Sequence, residues 1–294
     1  MKIVVSGASG LVGTALARRW SGTHSVVGLG RRPTPGGVQW DPAAGALDPA
    51  ALSGADAVVH LAGAGIADRR WSDSVKQAIR DSRVRGTSLI ARSMVAADAP
   101  PPVLICASAI GYYGDRGNAV LDEDSEPGQG FLSKISLEWE AAADPAREAG
   151  LRVVHLRIGI VLSKHGGALK QMLLPFKLGV GGKLGDGSQY MSWIGLEDLT
   201  RIIEYAIEQP TMQGAINAVA PTPATNADFT KALGRVLGRP TIFPVPGFGV
   251  RLLFGEMGDA LLLGSTRVVP TRLAATDFRF EHPDLDSALR AALV

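Results

Sequence analysis

Lys2-Ile-Val-Val-Ser-Gly7-Ala-Ser-Gly10-Leu-Val-Gly13 is the stretch on which the fold turns. A β-branched run opens onto Gly7-x-x-Gly10-x-x-Gly13, and an apolar-periodic segment follows from Leu11 to Trp20. This pattern reads as a buried strand, a tight glycine turn and a helix. The first N–H groups of such a helix have no partner inside it, and with the helix dipole they form a site for a pyrophosphate. The glycines let the backbone pass close to phosphates and let helix and strand approach each other. The spacing differs by one residue from G-x-G-x-x-G. The strand before it and the helix after it favour a nucleotide-cofactor site over a structural turn, with Gly7, Ser9, Gly10, Leu11, Val12 and Gly13 as contacts.

Outward from this unit, strand-like runs recur at Ser25–Leu29, Ala57–Leu61, Val103–Ser108 and Arg152–Ile158. Helical patterns alternate with them, clearest at Ser74–Ala97 and Leu132–Glu148, and a further helix, Leu196–Glu208, feeds a strand at Ala215–Val219. Short apolar strands between amphipathic helices predict an α/β fold with a doubly wound, mostly parallel sheet. A Pro-rich break, Ala220-Pro-Thr-Pro-Ala224, then changes the pattern, and helices are expected near Asn226–Leu237, Val250–Leu263 and Leu285–Leu293. The expected division is a nucleotide-binding domain over 1–221, with a glycine-rich substrate-side insertion at about 163–195. A smaller C-terminal α/β substrate domain over 222–294 closes it.

After the second strand the chain reads Val26-Val-Gly-Leu-Gly-Arg31-Arg32. An NAD site places an acidic residue here for the ribose 2′-hydroxyl, whereas Arg31 and Arg32 suit a 2′-phosphate. NADP(H) is therefore expected over NAD(H), with Arg31 the first choice and a solvated basic turn the alternative. His60-Leu-Ala-Gly63 forms a second glycine loop at the end of a strand, so Leu61, Ala62 and Gly63 are expected at the cofactor and His60 as a packing or hydrogen-bonding residue there.

Composition narrows the class. The 294 residues carry a net charge of +2, from 30 basic and 28 acidic residues, which gives no reason to expect a nucleic-acid partner. The one cysteine, Cys106, lies in an apolar run and suits a reducing compartment. No run approaches a membrane span, and Ser6, Gly7, Ser9 and Gly10 interrupt any signal-peptide pattern, so a soluble, cytoplasmic protein is expected. The histidines show no metal-ligand spacing, and neither HExxH nor G-x-S-x-G occurs, so no metal site is expected.

Several blocks together resemble a known family. They are Gly7–Gly13, His60–Gly63, Arg70-Trp71, Ser82-Arg83 with Thr87, Ala107-Ser-Ala-Ile-Gly-Tyr-Tyr-Gly114 and Arg157-Ile-Gly-Ile-Val-Leu162. Further along come Gly185-x-Gly187, Gln189, Ser192-Trp-Ile194, Arg239-Pro240, Gly255-Glu-Met257 and Ser265-x-Arg-Val268. The whole chain is similar to the extended short-chain dehydrogenases/reductases and, within them, to the YfcH-type "epimerase family" proteins, which include a human member. The resemblance implies a Rossmann-type domain binding NADP(H) and a small substrate-closing domain. It also implies catalysis by a Ser or Thr with a Tyr-x-x-x-Lys pair, in which the tyrosine moves a proton and the lysine lowers its pKa.

Ser108 stands where the catalytic serine belongs, and Ala107 beside it is expected at the cofactor. The pair itself is missing: Tyr112, Tyr113, Tyr190 and Tyr205 are followed four residues on by Arg116, Gly117, Ile194 and Gln209. In Gly130-Phe-Leu-Ser-Lys-Ile-Ser-Leu-Glu-Trp-Glu140, neither Gly130 with Lys134 nor Leu132 with Ser136 supplies a phenol. Tyr113 is the replacement proton donor to consider, or else a substrate contact or a packing residue. Lys134 reaches the cofactor ribose or is a solvated helix lysine, and Arg157 is structural or a cofactor-loop contact. Arg70, Trp71, Tyr112, Gln189, Ser192 and Trp193 are the substrate candidates, for a small sugar-like or carbonyl-bearing molecule. Three readings follow: an NADP(H)-dependent oxidoreductase or epimerase-like enzyme with unconventional proton transfer, a cofactor-binding sensor or scaffold, and a standard nucleotide-sugar epimerase. A homodimer is the superfamily's habit.

Overall fold

The computed structural model describes residues 1–32 and 35–293. The chain forms two compact units that interleave in sequence. Met1–Ser108, Ile135–Leu156 and Thr200–Ala215 make the first; Ala109–Lys134, Arg157–Leu199 and the residues from Ile216 onward make the second. The expected boundary at 221/222 falls inside the second unit, which also takes in 109–134 and 157–199.

The first unit is built on a seven-stranded sheet. In spatial order its strands are Gly214–Ala218, Arg152–Ile158, Val103–Ala109, Ala57–His60, Lys2–Ser6, Ser25–Gly30 and Val38–Gln39. Pairing is parallel from Val103–Ala109 through to Val38–Gln39. Ile3, Val4 and Val5 are buried, as are Val58 and Val59, because helices cover both faces and every apolar side chain of these strands leaves water. This is the Rossmann-type doubly wound order. The order reverses between Lys2–Ser6 and Ala57–His60, and a crevice opens at the carboxyl ends of the strands at such a switch point.

The second unit carries two-stranded pairings in place of a large sheet. Ile160–Leu162 lies parallel to Trp193–Gly195, Tyr190–Met191 antiparallel to Ala224–Thr225, and Val120–Leu121 parallel to Arg267–Val268. Its core packs Leu162, Leu169, Phe176, Trp193, Phe229 and Leu289.

Two expectations change. The helix expected over Leu132–Glu148 is two helices, Phe131–Ala141 and Asp144–Glu148. Pro145 lacks an N–H and its ring would strike the carbonyl one turn back, so one helix cannot run through. The helix expected over Val250–Leu263 stops at Phe254, where Gly255 takes φ +58°, and resumes as short turns. Within the glycine-rich 163–195 stretch, Gly167–Lys177 is helical and buries Leu169, Leu173 and Phe176. Among the described residues no helix is long and apolar enough to cross a membrane.

Candidate functional site

The glycine turn sits at the switch point, directly after Lys2–Ser6. Gly7 has φ +72°, and a Cβ there would lie 2.9 Å from the Ala62 nitrogen. A Cβ on Gly13 would lie 2.3 Å from the Gly7 carbonyl oxygen. Each glycine is therefore set by sterics: the first lets two loops touch, the second lets the helix pack on the turn.

Two helix starts differ in a way that bears on ligands. The helix Asp73–Val95 begins with Ser72, whose hydroxyl accepts from the Val75 N–H, and has Asp73 in its first turn. The helix Leu11–Arg19 begins at Gly10, with no side-chain cap and no acidic residue in its first turn. Its leading N–H groups and positive dipole end keep their capacity for an anion. Ser9 and Gly10 are exposed beside it, with Leu11 and Val12 half-buried. This arrangement fits the pyrophosphate of a dinucleotide.

The second strand brings its own end to the same place. A Cβ on Gly28 would sit 3.5 Å from the Ala8 side chain, so the strand passes close behind the turn. Arg31 and Arg32 follow it, both exposed and, among the described residues, without an ion pair.

His60 holds the two loops together. The Ser6 hydroxyl accepts from the N–H groups of Leu61 and Ala62 at 3.2 and 3.3 Å, leaving its proton for His60 Nδ1 at 2.5 Å. Burial and the nearby Arg83 cation push the imidazole pKa down to about 3, so His60 stays neutral. Its Nε2 is buried without a partner among the described residues. Such a ring packs and positions; it does not trade protons near neutrality.

At the end of Val103–Ala109, Ser108 is buried and its Oγ donates to Glu140 Oε1 at 2.7 Å. Ala107 is buried beside it. Glu140 is half-buried and lies on Phe131–Ala141, the helix that lacks the tyrosine. Trp139 Nε1, one residue earlier, donates to Thr87 Oγ1 at 2.9 Å. Cys106 is fully buried and its thiol is pushed up to about 12, which makes it a packing group. Lys134 is exposed on its helix.

Tyr113 falls in the second unit and has a different environment from the one a proton donor needs. It is completely buried. Its hydroxyl donates to Asn217 Oδ1 at 2.7 Å and accepts from Arg157 Nη1 at 3.0 Å, and burial pushes its pKa up to about 12. The Arg157 guanidinium lies 3.4 Å from the centre of the Tyr112 ring and donates to the Glu123 carbonyl. Buried Glu123 accepts from the N–H groups of Asn217 and Arg272. These residues bond to one another, an arrangement that suits the structural alternative for Arg157.

Three substrate candidates are also buried inside the second unit. Ser192 Oγ donates to the Thr266 carbonyl and accepts from the Val268 N–H at 2.8 Å. Gln189 Nε2 donates to the carbonyls of Leu184 and Leu262. Trp193 is 1% exposed in the core. Of the other candidates, Arg70 is exposed, and half-buried Trp71 donates from Nε1 to the Ile66 carbonyl at 2.9 Å.

Glu140 carries no expectation from the sequence, and Arg83 enters there only among the family blocks. Arg83 lies on Asp73–Val95, and its Nη1 donates to the Ala64 and Ile79 carbonyls, each at 3.1 Å. Glu140 stands at the end of the Gly130–Glu140 stretch without a role there. Its contact with Ser108 spans 32 residues, which no local spacing announces.

A seven-stranded doubly wound sheet with an uncapped glycine turn at its switch point defines a Rossmann-type dinucleotide-binding protein. The model of the NAD dependent epimerase/dehydratase family matches residues 3–218, and that of a domain of unknown function (DUF1731) matches 245–292. The chain belongs to that epimerase/dehydratase family, among the epimerase family proteins related to SDR39U1. It is 44% identical over 290 residues to the epimerase family protein Mb2239 of Mycobacterium bovis, spanning 98% of this chain and 96% of that protein. The crystal structure of human epimerase family protein SDR39U1 (isoform 2) with NADPH superposes with a TM-score of 0.91 at 37% identity, covering 99% of this chain and 98% of the other. A nucleoside-diphosphate sugar epimerase from Corynebacterium glutamicum gives 0.81 at 37% identity, covering 99% of this chain and 58% of that one.

Proposed function

We propose that this protein binds NADP(H) and acts as an oxidoreductase or epimerase-like enzyme on a small sugar-like or carbonyl-bearing molecule, without a Tyr-x-x-x-Lys pair. The carrying observation is the uncapped, acid-free helix start at Gly10, placed beside Arg31 and Arg32 by the approach of Gly28 to Ala8. The human relative crystallised with NADPH supports the same cofactor. A bound nicotinamide supplies hydride exchange. In this reading Ser108 Oγ orients the substrate oxygen, and Glu140 holds the proton that Ser108 hands on. Arg70 and Trp71 remain the substrate contacts on the first unit, and a homodimer remains the expected assembly.

A second reading, a cofactor-binding sensor or scaffold with little turnover, is favoured by one observation. The phenol of Tyr113 is committed to Asn217 and Arg157, so it has no proton to offer a substrate.

Fluorescence titration with NADPH and NADH, repeated on Arg31→Ala, tests the cofactor. NADPH is expected to bind at least tenfold tighter than NADH, and Arg31→Ala to erase most of that preference, as loss of a charge-assisted phosphate contact costs about 1.5–3 kcal/mol. Equal affinities would move the assignment to either dinucleotide. Binding of neither would overturn it.

A further inference from the structure

We propose that Arg83 is an anion-binding residue, holding a phosphate or carboxylate group at the edge of the second glycine loop, and this rests on the cofactor reading above. Nη1 is occupied by the carbonyls of Ala64 and Ile79. Nε and Nη2 make no hydrogen bond among the described residues, and neither is a buried orphan, so both reach the surface. Among the described residues no carboxylate pairs with Arg83.

The surroundings are built for a cation that waits for a partner. The guanidinium carbon lies 5.0 Å from the Trp139 ring centre, which gives it one stabilising contact. A Cβ on exposed Gly63 would stand 3.5 Å from that carbon, so the bare glycine leaves the guanidinium edge approachable. The Ala64 N–H is fixed by Ser82 Oγ at 3.0 Å while its carbonyl is fixed by Arg83, so the loop is rigid on both sides. Burial lowers the Arg83 pKa to about 10, the sign of a charge placed where water alone serves it poorly.

A clamp between helix and loop needs only the Nη1 donors. The planar fork beyond them matches two oxygens of one anion. Two sources share that chemistry: the pyrophosphate of the cofactor, and an anionic group of the substrate.

Calorimetric titration of the full chain with inorganic pyrophosphate tests the site without needing turnover. Arg83→Gln keeps a donor for the Ala64 carbonyl and removes the charge. Its pyrophosphate affinity is expected to fall at least tenfold, with Arg83→Lys in between. NADPH and 2′,5′-ADP then separate the sources. Loss of NADPH affinity with 2′,5′-ADP unchanged assigns the cofactor pyrophosphate. Unchanged NADPH affinity, with weaker phosphate binding to the NADPH-loaded protein, assigns a substrate anion. Should Arg83→Gln fail to fold, phenylglyoxal labelling of the wild type reads the same contact, and pyrophosphate is expected to protect Arg83. Unchanged affinity for every probe, or labelling that pyrophosphate does not slow, would leave Arg83 a clamp. Absence of NADPH binding to the wild type would sink the cofactor reading while the pyrophosphate and labelling arms still judge Arg83.

Discussion

Polar residues end the strands of the first unit and crowd the second, yet they differ in what they have left to give. At the first unit's switch point the N–H groups of Leu11–Arg19 lack a side-chain cap, and Arg83 keeps donors in reserve. In the second unit Tyr113, Gln189 and Ser192 bond to the protein itself. Residue type nominates both sets equally. Hydrogen-bond accounting separates them, because a buried group already satisfied has nothing to offer a ligand without breaking what holds it. The first unit therefore keeps donors for a ligand, and the hydrogen bonds of Tyr113, Gln189 and Ser192 hold the second unit's own fold.

The sharpest way to break this contrast is at Trp193. Trp193→Ala is expected to cost about 3–5 kcal/mol, since it empties a fully buried site among Leu162, Phe229 and Leu289. Urea denaturation should record that loss while the NADPH dissociation constant of the folded protein stays within twofold. Trp193→Phe should cost far less, as the indole N–H is buried with no partner among the described residues. A variant that kept its stability and lost cofactor or substrate binding would return Trp193 to the site.

His60 gives the next effect, with a sign fixed by its pKa near 3. Between the unfolded value of about 6.5 and that folded value, the unfolded chain binds a proton that the native protein refuses. Stability therefore falls as pH drops below about 6.5, by up to about 1.4 kcal/mol per pH unit from this group. Denaturation midpoints at pH 7.5, 6 and 5 should converge for wild type and His60→Gln as the medium acidifies. Parallel curves would mean that the imidazole protonates in place and that the loop pair is looser than its geometry.

The nucleotide-binding half was legible because its signals are local. Ile3–Val5 and Gly7–Gly13 are consecutive, and sterics at Gly7 and Gly13 leave little choice of turn. The helix break at Pro145 was legible in principle, because proline acts on its own turn. What stayed hidden was contact order. Glu140 meets Ser108 across 32 residues, and Asn217 meets Tyr113 across 104. The sequence placed Tyr113 five residues beyond Ser108, and proximity along the chain suggested one site. The turn at Ile110–Tyr113 carries the ring into the second unit's interior, where it packs with Leu121, Val219 and Val268.

Tyr113→Phe is the smallest effect and the most discriminating. The ring keeps its packing, and the change deletes one hydroxyl shared by Asn217 and Arg157. Loss of those two bonds should cost about 1–2 kcal/mol at neutral pH, since the partners are left buried and under-satisfied. The variant should also lose a feature of the alkaline limb. With the phenol pushed up to about 12, the unfolded chain releases this proton near 10 while the native protein holds it, so wild-type stability falls across that interval. Phenylalanine cannot contribute that term, and the two denaturation curves should draw together above pH 10. Once a substrate is in hand, turnover by Tyr113→Phe should match the wild type, whereas Ser108→Ala should slow it at least a hundredfold. The reverse pattern, with Ser108→Ala active and Tyr113→Phe dead, would show the hydrogen bonds of Tyr113 opening during the reaction and would erase the distinction between the two units.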